Sequence, residues 1–226
     1  MSKLASVIER TVLHPTLSIE VLEKAIREAI QFNLAGLCVP PFWVKKTKRD
    51  LGSHPITLST VIGFPFGYQR TESKLAEIET ALQDGATDLQ VSLNTSALFS
   101  PSASWTKIEL AKCATAVHAR QATLTVIIEG SLLEDEQIQY CCKASTDAGA
   151  DFVKNASGFL TSPLLTSSLL HQITLVRGFL SSTVGIKACG KIYSHAEATQ
   201  LLKAGAEKIC IDGPVHGLLP GNPSQS

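Results

Sequence analysis

The chain has 226 residues, of which 44% are hydrophobic and 18% charged, and its formal net charge is zero. A neutral chain lacks the basic field that attracts nucleic acid or an anionic membrane, and no apolar run approaches the roughly 20 residues of a transmembrane helix. The first residues also lack the apolar block and cleavage site of a secretory signal. We therefore expect a cytoplasmic protein with a sizeable core and with neither nucleic-acid nor membrane partners.

Short apolar or β-branched runs alternate with amphipathic helical patterns along the whole chain. The predicted strands lie near residues 9–12, 36–40, 56–64, 87–93, 122–129, 151–154, 183–188 and 207–211. The predicted helices span about 18–33, 42–50, 71–84, 103–119, 134–148, 166–179 and 194–204. Several helices end in Gly-Ala, a pair that suits the left-handed end of a helix followed at once by a strand.

Eight strands that alternate with helices predict a parallel sheet, and eight is the number that closes a TIM (β/α)8 barrel of the α/β class. An open, doubly wound sheet is the alternative fold. That fold usually carries a Gly-rich first turn, which this sequence lacks. Since no linker or repeat divides the chain, we predict a single domain over residues 1–226, with a short flexible tail from about 218 to 226.

The cysteines and histidines show no metal-binding pattern. None of the six cysteines forms a CxxC pair, which favours buried, reduced thiols over a disulfide or zinc framework. The six histidines are scattered without ligand spacing, so we expect no metal and no other cofactor. Cys189 could serve as a thiol nucleophile, but no histidine is near it in sequence, and a small buried residue is the favoured interpretation.

Two lysines end neighbouring predicted strands. Lys154 closes "DFVK" and Lys187 closes "VGIK", at the end of the barrel where catalytic groups lie. Either lysine alone could extend to solvent, but two on adjacent strand ends favour function. A second ammonium and partial desolvation would lower the pKa of a lysine nucleophile. The free amine could then form a Schiff base with an aldehyde or ketone, as aldol and retro-aldol reactions require.

Other polar residues fall on the same predicted strand ends. Glu129 ends "TVIIE" and could be either a structural partner of a lysine or a catalytic group. The stretch "ATDLQVSLN", residues 86–94, alternates so that Asp88, Gln90, Ser92 and Asn94 share one face. Because helices must cover the apolar face of a barrel strand, we expect this polar face to point into the barrel.

Several segments resemble, in order and spacing, the signature segments of deoxyribose-phosphate aldolases. They are "TVIGFPFG", "VIIEGSLLEDEQI", "AGADFVKNASGF" and "VGIKACGKI", together with "ERTVLHPT" and "GLCVPPFWV" in the first two strand regions. The similarity runs from about residue 8 to 215. It implies a class I aldolase on a (β/α)8 barrel, which cleaves 2-deoxyribose 5-phosphate to acetaldehyde and glyceraldehyde 3-phosphate.

The resemblance assigns roles to individual residues of this chain. Lys154 matches the Schiff-base lysine, and Lys187 matches the second lysine that lowers its pKa. The substrate is implied to be a small aldehyde or sugar phosphate, and a homodimer is one possible assembly. The implied substrate-binding residues are Asn155, Ser157, Gly158, Gly190, Lys191 and Cys38.

One departure concerns proton transfer. The family pattern of the fourth strand reads approximately A-D-E-I-D-x-V-x-N, and its final aspartate, which works in proton transfer, is Gln90 here. An amide can hold a water but cannot accept and return a proton as a carboxylate does. Asp88 and Glu129 are the candidates to replace it. If the mechanism is only weakened, Gln90→Asp should raise the activity.

A second departure concerns the phosphate. The family's K-A-S-G-G-I-R becomes "KACGKIY", with Lys191 for the second glycine and Tyr193 for the arginine, and its G-x-S-S-G becomes "CIDGP". Asp212 in the latter segment would repel a phosphate dianion, and Lys191 would offset this only in part. We therefore predict weakened recognition of a 5-phosphate.

Three functional hypotheses follow. The first is a deoxyribose-phosphate-type aldolase with weakened activity or phosphate recognition. The second is an aldolase-like enzyme that acts on a non-phosphorylated aldehyde. The third is a catalytically silent barrel with a binding role.

Overall fold

The computed structural model describes residues 4–99, 104–159 and 169–219. It contains eight strands at or near the predicted positions. They are β1 (Ile8–Thr11), β2 (Gly36–Val39), β3 (Thr57–Ile62), β4 (Asp88–Ser92), β5 (Thr123–Ile127), β6 (Phe152–Lys154), β7 (Gly185–Cys189) and β8 (Lys208–Asp212).

The eight strands form a closed barrel in chain order, and every neighbouring pair is parallel. The barrel closes where β1 pairs with β8, with Glu9 opposite Cys210 and Thr11 opposite Asp212. An open, doubly wound sheet would leave these two strands unpaired. The predicted single-domain (β/α)8 barrel is therefore confirmed.

Helices connect the strands and cover the barrel. They are α1 (Ile19–Phe32), α2 (Val44–Leu51), α3 (Thr71–Gln83), α4 (Thr95–Leu98), α5 (Ser104–His118), α6 (Asp135–Ala148), α7 (Leu169–Phe179) and α8 (His195–Lys203). The short α4 was not predicted, because four residues are too few to show a helical period. Residues 103 and 166–168, which the sequence assigned to helices, lie outside the described residues.

Local sequence signals set the helix ends. Ser18 caps α1, where its hydroxyl accepts a hydrogen bond from the backbone N–H of Val21 at 3.4 Å. At the other end Asn33 adopts a left-handed conformation with φ of 50°. In α8, Ser194 and Glu197 form a reciprocal capping box.

The main apolar core lies between the barrel and the helices. The outward-facing Leu89 and Val91 of β4 are fully buried in it. Leu218 and Leu219, which the sequence placed in a tail, are also buried in this core, and residues 220–226 lie outside the described residues. All six cysteines are buried with free thiols. Within the described residues, no helix combines the length and apolar character that a membrane span requires.

Candidate active site

The inward-facing side chains form layers, each contributed by alternate strands. The strand register defines two layers near the middle of the barrel. The odd strands contribute Glu9, Ser59, Thr125 and Lys187. The even strands contribute the next layer toward the carboxyl ends, which holds Cys38, Gln90, Lys154 and Cys210. Both predicted lysines therefore point into the barrel, in adjacent layers.

Lys154 is the last residue of β6 and is fully buried. Its Nζ donates a hydrogen bond to Oε1 of Gln90 at 3.0 Å. Nε2 of Gln90 in turn donates to Oε1 of Glu9 at 2.7 Å. A chain of hydrogen bonds thus joins lysine, amide and carboxylate across three strands of the barrel.

Lys187 lies between two buried carboxylates. Its Nζ donates to Oε2 of Glu9 at 2.7 Å and to Oδ2 of Asp88. The hydroxyl of Ser59 lies 3.0 Å from Oε2 of Glu9 and 2.7 Å from Oδ2 of Asp88 and can donate its proton to either. Thr125 donates to Oδ1 of Asp88 at 2.8 Å. The two lysines and two carboxylates can balance in charge, and this balance makes their burial tolerable.

The ion pairs shift the pKa of both partners. Burial opposes ionisation of Glu9, but the charges of Lys187 and Lys154 outweigh burial and lower its pKa to about 2. Burial likewise opposes the ammonium of Lys187, but the carboxylates of Asp88 and Glu9 raise its pKa above the usual value. Glu9 and Lys187 are therefore both charged near neutral pH.

Lys154 has a different environment. Burial opposes its ammonium form. The ammonium is favoured by the thiolates of Cys189, Cys210 and Cys38 and by the carboxylate of Glu9, and with all four of these groups charged the pKa of Lys154 is raised. Burial also raises the pKa of each of these thiols, so they are neutral near pH 7. Of the four groups, Glu9 alone then remains charged. The balance between burial and this one carboxylate controls how readily Lys154 becomes a free amine.

Lys187 has a smaller effect on Lys154 than an unpaired ammonium would have. The two residues are direct partners in the register of β6 and β7. The charge of Lys187, however, is already compensated by Glu9 and Asp88. The expected lowering of the Lys154 pKa by Lys187 is therefore reduced, and it stays a prediction.

A small cluster of apolar side chains lies next to the lysine layer. Cys38, Val61 and Ile127 form a buried cluster inside the barrel, against which the partly buried Leu13 and Phe64 pack. The ring of Phe64 meets that of Phe159 edge to face, with centroids 5.4 Å apart. These apolar side chains limit the access of water to the lysine layer.

Two buried hydroxyls of the inward-facing rows have no hydrogen-bond partner among the described residues. They are Oγ1 of Thr11, two residues after Glu9, and Oγ of Ser92, two residues after Gln90. Because side chains alternate along a strand, both point into the barrel on the carboxyl side of the charged groups. They are therefore available to a polar group of a bound molecule.

The segment after β6 is tied to its neighbours by several hydrogen bonds. Asn155 accepts from the backbone N–H of Cys189 at 2.7 Å and donates to that residue's carbonyl at 3.1 Å, so its side chain joins β6 to β7. Glu129 accepts from the backbone N–H of Ser157 at 2.9 Å. Gly158 has φ of +83°, which suits glycine. Asn155 and Glu129 thus shape the loop beside Lys154.

The remaining predicted residues lie at the mouth of β7 and β8. Gly190, Lys191 and Tyr193 are exposed, and Glu197 accepts from the backbone N–H of Tyr193 at 2.7 Å. The side chain of Asp212 at the end of β8 is 75% exposed and lies 4.0 Å from Arg10. These residues are brought to the same end of the barrel as the lysines, but at its rim.

A small cavity of about 60 Å³ lies on the amino-terminal side of the charged layer. Glu9, Asp88 and Lys187 contribute to its lining, together with Thr57, Phe152 and Lys208. The ion pairs therefore border a small cavity with a mixed polar and apolar lining. No group of three or more His, Cys, Asp or Glu side chains within the described ranges is arranged to hold a metal ion.

Sequence reasoning missed Glu9, which links the two lysines through Gln90, and the hydroxyls of Ser59 and Thr125, which hydrogen-bond to the carboxylates. Glu9 lies in β1, a four-residue strand that is buried throughout although its sequence is IERT. A charged residue in such a strand is a usable signal, because a buried carboxylate needs a partner. The identity of that partner could not be read, since Lys187 is 178 positions away.

Comparison with known proteins agrees with this geometry. The model of the DeoC/LacD family of aldolases matches residues 7–177. The chain belongs to the DeoC/LacD aldolase family. It is 35% identical over 206 residues to a deoxyribose-phosphate aldolase of Bacillus cytotoxicus, covering 91% of this chain and 90% of the relative. It is 36% identical over 202 residues to that of Brevibacillus brevis, covering 89% of each chain.

Solved structures of similar proteins show the same fold. The deoxyribose-phosphate aldolase of Aeropyrum pernix, which is tetrameric, superposes with a TM-score of 0.85 at 29% identity, over 95% of this chain and 88% of that one. The aldolase QR15 also has a TM-score of 0.85, at 27% identity, over 96% of this chain and 95% of that one. Family membership and the lysine-containing barrel thus point to the same chemistry.

Proposed function

We propose that this protein is a class I aldolase in which Lys154 forms a Schiff base with the carbonyl carbon of 2-deoxyribose 5-phosphate and cleaves it to acetaldehyde and glyceraldehyde 3-phosphate. The observation that carries the proposal is the placement of Lys154. It is a buried lysine at the carboxyl end of β6, hydrogen-bonded to Gln90 and next to a small cluster of apolar side chains. The names of the curated relatives supply the substrate.

The proposed reaction uses the groups around Lys154. The amine adds to the C1 aldehyde and loses water, which gives an iminium. A base removes the proton of the C3 hydroxyl, the C2–C3 bond breaks, and its electrons move into the iminium to form an enamine while glyceraldehyde 3-phosphate leaves. Protonation of the enamine carbon and addition of water release acetaldehyde and the free lysine.

Gln90 leaves the proton transfers to other groups. Its oxygen can accept from the N–H of the carbinolamine or iminium at Lys154, and its amide can order a water. The buried hydroxyls of Thr11 and Ser92 can bind hydroxyl groups of the substrate. Because Gln90 is not a base, we expect turnover below that of an enzyme with a carboxylate at this position.

Turnover of 2-deoxyribose 5-phosphate tests the proposal. Acetaldehyde release should be measurable with the intact chain and absent in Lys154→Met. Lys74→Met is a matched control, because Lys74 is also fully buried but pairs with Glu109 at 2.6 Å outside the lysine layer. Equal turnover by Lys154→Met and the intact chain would overturn the proposal. No turnover of any aldehyde, with no adduct at Lys154, would favour the silent barrel.

A second candidate function is cleavage or condensation of a non-phosphorylated aldehyde. The observation that favours it is the exposed carboxylate of Asp212 at the rim. A comparison of kcat/KM for 2-deoxyribose and its 5-phosphate decides between the two functions. A strong preference for the phosphorylated sugar would exclude the second.

The assembly also stays a prediction. A homodimer is one possible assembly, whereas the Aeropyrum pernix relative is a tetramer. The molar mass in solution, measured by light scattering, distinguishes these states.

A further inference from the structure

The amide of Gln90 can be turned in two ways, and one of them presents an oxygen to Lys154. Two carboxylates select this orientation. Nε2 of Gln90 donates to Oε1 of Glu9 at 2.7 Å and, over a longer distance of 3.3 Å, to Oδ2 of Asp88. With its nitrogen held by these acceptors, Gln90 directs Oε1 to Nζ of Lys154 at 3.0 Å.

We propose that Glu9 is a positioning residue of the lysine site, which fixes the amide of Gln90 with its oxygen toward Lys154. This proposal rests on the proposed function, in which Lys154 is the Schiff-base lysine. Glu9 does not itself contact Lys154 in the described hydrogen bonds; it acts through Gln90 and holds Lys187 with its second oxygen. The shorter of the two hydrogen bonds that hold the amide of Gln90 thus comes from a carboxylate on β1.

The orientation matters because the intermediates at Lys154 retain an N–H group. A carbinolamine or protonated Schiff base in this buried layer needs a hydrogen-bond acceptor, and a buried donor without one is costly. Oε1 of Gln90 meets that need. If the amide were reversed, its NH2 group would face the N–H of the intermediate, and both groups would lose a partner.

Substitution of Glu9 by glutamine would reverse the amide of Gln90. Lys187 donates to the Oε2 position of residue 9 at 2.7 Å, so a new amide there keeps its oxygen on that side. Its NH2 group then occupies the Oε1 position and faces Nε2 of Gln90. Two donors cannot pair, and the amide of Gln90 turns its NH2 group toward Lys154.

The exchanged pair Glu9→Gln/Gln90→Glu should restore the arrangement. In that variant the carboxylate of residue 90 accepts from the amide at residue 9 and from Lys154. The number of buried charges equals that of the intact chain, and side-chain volumes are nearly unchanged. Gln90→Glu alone adds a third carboxylate next to Glu9 and Asp88, which repel it.

The rate of Schiff-base formation is the measurement. Each variant is mixed with acetaldehyde, quenched with borohydride at timed intervals from pH 5 to 9, and weighed as intact protein by mass spectrometry. We expect Glu9→Gln to form the adduct at least tenfold more slowly than the intact chain at pH 7. We expect the exchanged pair to be faster than either single variant and to recover most of that loss.

Glu109→Gln is the matched control. It removes a buried carboxylate from a lysine ion pair, with Lys74 at 2.6 Å, but in helix α5 outside the lysine layer. It should unfold at lower temperature while its adduct forms at the rate and with the pH profile of the intact chain. If adduct formation is slower in Glu9→Gln but not in Glu109→Gln, the effect comes from the lysine site and not from a general loss of stability.

Three results would overturn the proposal. Glu9→Gln could react as fast as the intact chain, or the exchanged pair could be no faster than the single variants while circular dichroism shows it folded. If Glu9→Gln fails to fold, the comparison of the exchanged pair with Gln90→Glu gives the same decision. An intact chain that forms no adduct at Lys154 would overturn the proposed function and this proposal together.

Discussion

Nζ of Lys154 lies 3.0 Å from Oε1 of Gln90, so an amide accepts the hydrogen bond of the buried lysine at the position where the family pattern places an aspartate. The layer that contains Lys154 therefore holds a neutral acceptor. The carboxylates Glu9 and Asp88 lie on its amino-terminal side, where they neutralise Lys187. The acceptor of Lys154 is thus separated from the negative charges.

Gln90→Asp alone should give less than a twofold increase in turnover of 2-deoxyribose 5-phosphate. A carboxylate at residue 90 would lie beside Glu9, whose Oε1 is 2.7 Å from the present amide nitrogen. The repulsion raises the pKa of one of these carboxyls, which takes up a proton and cancels the gain in base strength. Steady-state acetaldehyde release measures the effect. A tenfold increase in turnover would show that repulsion by Glu9 does not limit the base strength of a carboxylate at residue 90.

Lys187→Met should lower the free energy of unfolding by about 3–5 kcal/mol, because it leaves Glu9 and Asp88 buried without their cation. Turnover should fall as well. The double variant Lys187→Met/Glu9→Gln should recover part of the stability, since one uncompensated charge is removed, but no activity. Urea unfolding of the four proteins forms a double-mutant cycle. Additive losses in that cycle would mean that Glu9 and Lys187 are not energetically coupled.

The stability of the protein should fall in acid because of Glu9. The pKa of Glu9 is about 2 in the folded chain, against an ordinary value of 4.5. Burial opposes ionisation of Glu9, but the charges of Lys187 and Lys154 outweigh burial and favour the carboxylate. A lowered pKa contributes stability that is complete above pH 4.5 and is lost as the pH falls toward 2. Between pH 6 and 2.5 the intact chain should lose about 2–3 kcal/mol more than Glu9→Gln in urea unfolding. Parallel curves for the two proteins would contradict this assignment.

Asp212→Ser should raise kcat/KM for 2-deoxyribose 5-phosphate about threefold to tenfold and leave that for 2-deoxyribose unchanged. The side chain of Asp212 is largely exposed at the rim of β8, so water screens its repulsion of a phosphate dianion in part. Glu207→Gln is the control, since Glu207 precedes β8 at the opposite end of the strand. An equal rise in kcat/KM for both sugars, or the same rise in the control variant, would show that Asp212 does not affect phosphate recognition.

The architecture could be predicted from the sequence because it depends on local patterns. The strand β4 shows this best: Asp88 and Gln90 alternate with Leu89 and Val91, and the structure buries the polar pair inside the barrel and the apolar pair under the helices. The positions of Lys154 and Lys187 at neighbouring strand ends followed in the same way.

The partners of these side chains could not be predicted, because they depend on the barrel's stagger. Glu9 meets Gln90 across 81 positions of sequence, and no local pattern encodes that contact. The compensation of Lys187 by two carboxylates was missed for the same reason. Sequence reasoning therefore placed Lys154 and Lys187 on neighbouring strand ends but missed the two counterions of Lys187. A charge with two counterions acts less on its neighbour than a free one.

Borohydride trapping with acetaldehyde, followed by peptide mapping, tests the central claim most directly. We expect one adduct, an N-ethyl lysine formed by reduction of the acetaldehyde imine, which adds C2H4 and makes the chain about 28 Da heavier. The modified peptide should contain Lys154, and Lys154→Met should gain no mass under the same conditions. Modification of another lysine, or an unmodified chain that still turns over 2-deoxyribose 5-phosphate, would contradict it.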